Sequence, residues 1–226
     1  MSDDAAKRTA ARAALAELPE RGVVGLGSGS TSRIFVEELA PLVRDGRALV
    51  GVPTSESTRE LAARLGIPLL GDEGPWKIDV NVDGADEVSE ALDLIKGGGA
   101  AHAREKIVNY ASARNVIIVD ESKLSARLGE KWPVPIEVLP FAHKMTRAQL
   151  ERFGAPELRE KAGVATRTDA GNLIYDLATG PIADPGKLDE ALHAIPGVVE
   201  TGLFVKRADV VIVAGASGVR RLTRAS

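Results

Sequence analysis

Val23-Val24-Gly25-Leu26-Gly27-Ser28-Gly29-Ser30-Thr31 joins an apolar run to a Gly/Ser loop and sets the class of the whole chain. Val23 to Leu26 is a short apolar run suited to a buried strand. It ends in a Gly/Ser loop, and from Ser32 to Leu39 the apolar residues take helical spacing. The same strand, loop and helix order recurs outward from it. Upstream, Asp3 to Leu18 is rich in Ala, Lys, Arg and Leu and reads as a helix that Pro19 stops. Downstream, Ala48 to Val52 reads as a second strand and Ser57 to Leu65 as a helix. Ile78, Val80 and Val82 alternate as a third strand, and Leu92 to Ile95 leads into a triple glycine. A helix from about Ala100 to Ala111 and the β-branched strand Asn115 to Val119 complete the series. Such a series predicts a Rossmann-like, mostly parallel sheet with helices on both faces.

Beyond Lys131 the pattern changes. Val134 to Val138 reads as a strand and Thr146 to Phe153 as a helix. Val164 to Thr168 and Leu173 to Leu177 read as a hairpin turning at Asp169-Ala170-Gly171. Lys187 to His193 is a further helix and Val198 to Phe204 a closing strand. That β-α-β-β-α-β order is ferredoxin-like, and the apolar strand Asp209 to Ala214 then suits the first sheet. The expectation is a larger α/β domain of residues 1–128 and 205–226, carrying a small inserted ferredoxin-like α+β domain of residues 129–204.

Composition narrows the function. The 226 residues are 44% hydrophobic and 27% charged, ordinary for a soluble globular protein. With 29 basic and 32 acidic side chains the net charge is −3, so no global positive field favours nucleic acid. The basic cluster Arg220, Arg221 and Arg224 reads as a solvated end. The absence of cysteine excludes disulfides, thiolate catalysis and cysteine-held zinc. The acidic Met1-Ser2-Asp3-Asp4 start is wrong for a signal peptide, and no apolar run approaches the ~20 residues needed to span a bilayer. The expectation is a cytoplasmic protein with no membrane partner.

Four motifs could carry chemistry. In Gly25 to Thr31 the backbone amides and a helix start favour an anion, with hydroxyls from Ser28, Ser30 and Thr31. Ser32 stands where a dinucleotide fingerprint wants its third glycine, Val52-Pro53-Thr54-Ser55 lacks the expected acid, and no Walker lysine is present. What remains is a cradle for a phosphate smaller than a nucleotide, or simply a tight turn. Asp83-Gly84-Ala85-Asp86-Glu87 ends the third strand at the carboxyl edge where open α/β sheets bind ligands. Its carboxylates, three residues apart, could accept sugar hydroxyls, stabilise a helix start or, less well with three histidines in the chain, hold a metal. Lys96-Gly97-Gly98-Gly99 brings a positive charge and three glycines, costly unless backbone must approach a ligand. Glu105 follows in the next helix. Alone it would be an ordinary surface glutamate, with His102 the rival base. Lys123, after the 115–119 strand, could meet a phosphate or merely be solvated. All four motifs fall at one edge of one predicted sheet.

Together these residues resemble type A ribose-5-phosphate isomerase. Gly27-Ser28-Gly29-Ser30-Thr31, Asp83 to Glu87, Lys96 to Ala101 with Arg104-Glu105-Lys106, and Ser122-Lys123 match its motifs in order, as does Ile195 to Phe204. Ser28 departs from the Thr of many relatives but keeps the hydroxyl, and His102 falls at a variable position. The resemblance implies an aldose–ketose isomerase of the non-oxidative pentose phosphate pathway, without metal or cofactor, interconverting D-ribose 5-phosphate and D-ribulose 5-phosphate. It implies Glu105 as general base through a cis-enediolate, and Asp83 and Asp86 on sugar hydroxyls with Gly84 and Ala85 between them. Asp83 would also help ring opening. Lys96 and the amides of Gly97 to Gly99 would stabilise the enediolate oxygen. Ser28, Gly29, Ser30, Thr31, Lys123 and, in the first helix, Lys7 would hold the phosphate end. A homo-oligomer, dimer or tetramer, is also implied. The rivals are a coenzyme A transferase, an amino-sugar phosphate deaminase, or a sugar-phosphate sensor. A sensor is expected to carry a DNA-binding segment before residue 25.

Overall fold

The apolar run at Val23 folds as the strand Arg21–Leu26 in a computed structural model that describes residues 3–224. Its alternation sorts side chains by face. Val24 and Leu26 pack with the helices Asp3–Ala14, Ser30–Arg44 and Glu56–Arg64, whereas Val23 packs on the opposite face with Val108 of the helix His102–Tyr110. Burying each such Val or Leu contributes about 1.5–3 kcal/mol. Ser55 caps the Glu56–Arg64 helix by accepting the Thr58 amide, which satisfies one of its orphan donors.

The chain divides into two compact units. The first holds the described residues up to Ala85, Arg104–Ser122, and those from Arg207 onward. Its six-stranded sheet runs Gly218–Thr223, Val210–Gly215, Asn115–Asp120, Val80–Asp83, Arg21–Leu26, Ala48–Pro53. Every neighbour pair is parallel except the first. The mostly parallel sheet with helices on both faces is therefore as the sequence indicated. Its parallel strands lie in the doubly wound order 2-1-3-4-5, which reverses between Arg21–Leu26 and Val80–Asp83. The antiparallel strand Gly218–Thr223 was not expected. It places Arg220 and Arg221 on a sheet edge, where they stay exposed, as a solvated end would be, and pair with Glu121 and Glu17. Charged edges of this kind resist further strand addition.

The second unit comprises Asp86–Ala103 and Lys123–Lys206. The sequence reading drew it as 129–204; the compact division also groups 86–103 and 123–128 with it. Its antiparallel sheet runs Val198–Thr201, Val134–Val138, Leu173–Ala178, Ala155–Leu158, with the helices His143–Leu150 and Pro185–His193 supplying Leu150 and Leu192 to the core. This is the ferredoxin-like order, but its second strand is Ala155–Leu158. Val164–Ala165 instead pairs with Glu160–Lys161 in a two-stranded ribbon.

The predicted strand Val198 to Phe204 also splits. At Gly202 it leaves the antiparallel sheet, and Leu203–Phe204 joins a second small sheet with Leu94–Ile95, Glu87–Ser89 and Leu124–Ser125. Gly202 donates to Pro135 O at 2.7 Å and accepts from Lys96 N at 2.9 Å, so its backbone serves both sheets. Among the described residues no helix is long and apolar enough to cross a membrane.

Candidate active site

The point where the doubly wound order reverses is where such sheets bind ligands, outside the carboxyl ends of their strands. In the first unit the loop after Arg21–Leu26 and the residue ending Val80–Asp83 meet there. Asp83 is fully buried, and its Oδ1 accepts from Ser28 N (3.1 Å), Ser32 Oγ (3.0 Å) and Gly84 N (2.8 Å). Gly27 must be glycine here. A Cβ on it would lie 2.7 Å from the Asp83 Cα and nearer still to the carboxylate. One carboxylate thereby ties the Gly/Ser loop to the neighbouring strand.

A second set of bonds holds the loop from its other side. Ser28 Oγ lies 2.7 Å from Thr54 Oγ1 and donates to Ser55 Oγ at 2.8 Å, and Thr58 Oγ1 donates to Gly27 O at 3.1 Å. Gly29, at φ 91°, precedes the Ser30–Arg44 helix and, like Ser30, is exposed, so the positive end of the helix dipole is open to solvent. A cleft of about 680 Å³ beside Gly29 and Ser30 is lined by both signs of charge, Arg8, Arg33 and Arg64 with Asp4, Glu37 and Glu60. Thr31 is partly buried. Ser32, Thr54, Ser55 and Thr58 are not among the site residues that the sequence reading names. The available signal was the hydroxyl run Thr54-Ser55 at the carboxyl end of another strand of the same sheet.

Glu105 lies in the first turn of His102–Tyr110 and is 4% exposed, so it is not the solvated helical glutamate that its composition alone would suggest. Gly84 and Ala85 follow Asp83, both partly buried. Lys7 is partly buried on the first helix, which packs on Ser30–Arg44.

The second unit carries the other motifs. Lys96 is 3% exposed, with its Nζ 5.6 Å from the Phe204 ring centroid, a cation–π distance. The buried Gly97, at φ 113°, crosses directly over His102, whose Nδ1 would lie 2.7 Å from any Cβ placed there. Asp86 accepts the Gly98 amide at 2.7 Å. His102 is fully buried and 4.0 Å from Glu137, which also accepts from Thr168 and Asn172 at 2.8 Å each. Lys123 closes a short 3-10 turn, with its Nζ 5.3 Å from the Trp132 ring centroid.

Asp189, His193 and Glu200 also cluster in this unit. His193 Nε2 is 2.9 Å from Glu200 Oε1, while its Nδ1 is 2.9 Å from Asp189 O and 3.4 Å from Asp189 Oδ1. The carboxylates address opposite ring nitrogens, which suits a protonated imidazole rather than convergence on one ion. The Asp189 and Glu200 bonds raise the His193 pKa to about 10.

Fold and loops define an α/β protein with an anion-favouring loop and a buried carboxylate at the reversal point of a doubly wound sheet. The family described as ribose 5-phosphate isomerase A (phosphoriboisomerase A) matches residues 50–218. The chain belongs to that family. It is 46% identical to ribose-5-phosphate isomerase A of Thermomicrobium roseum, covering 99% of this chain and 96% of the relative. It is 50% identical to that of Gloeobacter violaceus, covering 99% and 98%. The solved ribose 5-phosphate isomerase A of Methanocaldococcus jannaschii superposes with a TM-score of 0.93 at 39% identity, covering 98% of this chain and 100% of that one. A D-ribose-5-phosphate isomerase in complex with phospho-erythronic acid gives 0.95 at 41% identity, covering 99% and 100%.

Proposed function

We propose that this chain interconverts D-ribose 5-phosphate and D-ribulose 5-phosphate, with Glu105 as the base that moves the proton between C2 and C1. The observation that carries this reading is the burial of Glu105, a carboxylate kept from bulk water in the first turn after the glycine loop. Family membership supplies the reaction class. The phospho-erythronic acid complex of the 41% identical relative supports a short-chain sugar phosphate as the ligand.

In the open-chain aldose, Glu105 takes the C2 proton and a cis-enediolate forms. The proton returns to C1, the O2 hydroxyl proton passes to O1, and O2 becomes the ketose carbonyl. Asp83 assists ring opening, and Asp83 and Asp86, flanking Gly84 and Ala85, hold sugar hydroxyls. Lys96 and the Gly97-Gly98-Gly99 loop answer the charge that develops on the enediolate oxygen, although the Gly98 amide itself is engaged by Asp86. Ser28, Gly29, Ser30, Thr31, Lys123 and Lys7 hold the phosphate end. A positioned base contributes ~10²–10⁴ in rate and one oxyanion donor ~10²–10³. The phosphate supplies remote binding energy that orients the reacting carbons. This reading has the chain act as a cytoplasmic homodimer or homotetramer, with a sugar phosphate and neither nucleic acid nor membrane as its partner.

The test is ribose 5-phosphate turnover by wild type and Glu105→Gln side by side. Turnover should fall at least about 100-fold in the variant, with substrate still bound. Near-normal turnover moves the proton transfer to another group, with His102 the next to substitute.

A further inference from the structure

Arg159 lies 60 residues beyond the glycine loop, yet its guanidinium reaches it. Nη1 donates to Gly97 O at 2.7 Å and to Gly98 O at 3.3 Å. Nε donates to Asp176 Oδ2 at 2.8 Å, and Nη2 donates to Asp176 Oδ1. Asp176 sits on the strand Leu173–Ala178, and Arg159 directly follows the paired strand Ala155–Leu158. The side chains are 16% and 25% exposed, so this ion pair is largely withdrawn from water. A fork gripped at two nitrogens by a carboxylate has one rotational setting, and the remaining nitrogen takes two carbonyls of one loop.

Peptide geometry gives that grip a consequence. In a trans peptide the C=O and the following N–H point to opposite sides. With the Gly97 and Gly98 carbonyls turned to Arg159, the amides of Gly98 and Gly99 are turned away from it. The first of these amides is taken by Asp86. The second belongs to an exposed glycine whose missing Cβ would meet nothing within 4 Å.

We propose that Arg159, locked by Asp176, is a positioning residue that presets the glycine loop so that the Gly99 amide, rather than that of Gly98, meets the substrate oxygen. The proposal rests on the isomerase reading above. It accounts for an arginine spent on backbone carbonyls. Three glycines in a row are free to sample many amide orientations; the Ala100 amide on Gly97 O (3.0 Å) and Asp86 on the Gly98 amide hold part of the loop, and Arg159 adds the hold on Gly98 O, the peptide that carries the Gly99 amide. A donor contributes fully to an oxyanion only when its orientation is set before charge develops.

The test is steady-state ribose 5-phosphate isomerisation by wild type, Arg159→Ala, Arg159→Lys and Asp176→Asn, with thermal melts alongside. Arg159→Ala should lose roughly 10–100-fold in kcat with KM little changed. Methylguanidinium, at concentrations far below denaturing, should restore part of that loss saturably, and methylammonium at equal ionic strength should not. Arg159→Lys keeps the charge but cannot grip a carboxylate and two carbonyls together, so it should show the kcat loss with a melt near wild type. Asp176→Asn should fall between. A merely structural role would not produce cation-selective rescue. Wild-type kcat in Arg159→Lys, a loss carried by KM alone, or equal response of Arg159→Ala to both cations overturns the proposal. An inactive wild type in the same assay instead overturns the isomerase reading, and this inference with it.

Discussion

Gly27→Ala is the sharpest perturbation of the loop that Asp83 ties down. The added Cβ would lie 2.7 Å from the Asp83 Cα, and ordinary contact begins at 3.4 Å, so the two backbones must part by about 0.7 Å. The carboxylate, closer still, must swing further, which strains the bonds from Ser28 N, Ser32 Oγ and Gly84 N together. Overpacking of this kind costs about 1–3 kcal/mol. At about 2–4 °C per kcal/mol for a chain of this size, melting should fall by roughly 2–12 °C. A displacement approaching 1 Å in a substrate-positioning loop costs on the order of 100-fold in rate. The assay pairs a thermal melt with kcat/KM for ribose 5-phosphate, and Gly71→Ala serves as control, since nothing lies within 4 Å of its Cβ position. The expected result is a modest melting loss with a large kcat/KM loss in Gly27→Ala and neither in the control. A Gly27→Ala protein that melts with wild type and keeps kcat/KM within twofold would refute the assignment of Asp83 and the loop to one site.

The remaining predictions are simpler. Hydrogen bonds to Asp189 first, and then to Glu200, raise His193 from 6.5 to about 10, so its protonated form is the stabilised one. That contribution is complete below pH 6.5 and drains away as pH rises through 10. With the side chain 37% exposed, solvent screening holds it to about 1 kcal/mol or less. Thermal melts across that window should show an alkaline decline that is smaller in His193→Gln; equal declines in the two proteins would count against it. Exhaustive chelation should leave isomerase activity intact, because the proposed chemistry assigns the developing charge to Lys96 and backbone amides. A loss restored by a divalent ion would contradict that assignment.

Much of the candidate site was legible because its residues sit where strands end. Apolar alternation locates the strands, and the residues just after them, Gly27 to Thr31 and Asp83, fall at a ligand-binding edge by the geometry of any parallel sheet. Thr54 and Ser55 follow the same rule, with Thr58 in the helix that comes next, but small hydroxyl residues after a strand are also ordinary helix caps, and Ser55 is one. Glu105 was legible as a motif member but not as a buried group. A glutamate in a helix carries no mark of its exposure, and only packing decides it.

Local spacing and contiguous motifs carry the strand and helix periods, the parallel α/β class, the ferredoxin-like order and the family, so these were readable before folding. Folding in three dimensions was needed to show that Ala155–Leu158 is the edge strand, that Val198 to Phe204 breaks at Gly202 to serve two sheets, and that Gly218–Thr223 closes the large sheet. It alone decided that Arg159 grips Gly97 and Gly98. The reasons are physical. Strands of two to four residues have too few alternations to carry a period, Gly218–Thr223 is exposed along almost its whole length and so shows no apolar alternation, and a single side chain reaching distant carbonyls leaves no spacing to read. Such pairings are selected by the whole fold, which brings remote backbone groups within hydrogen-bond reach.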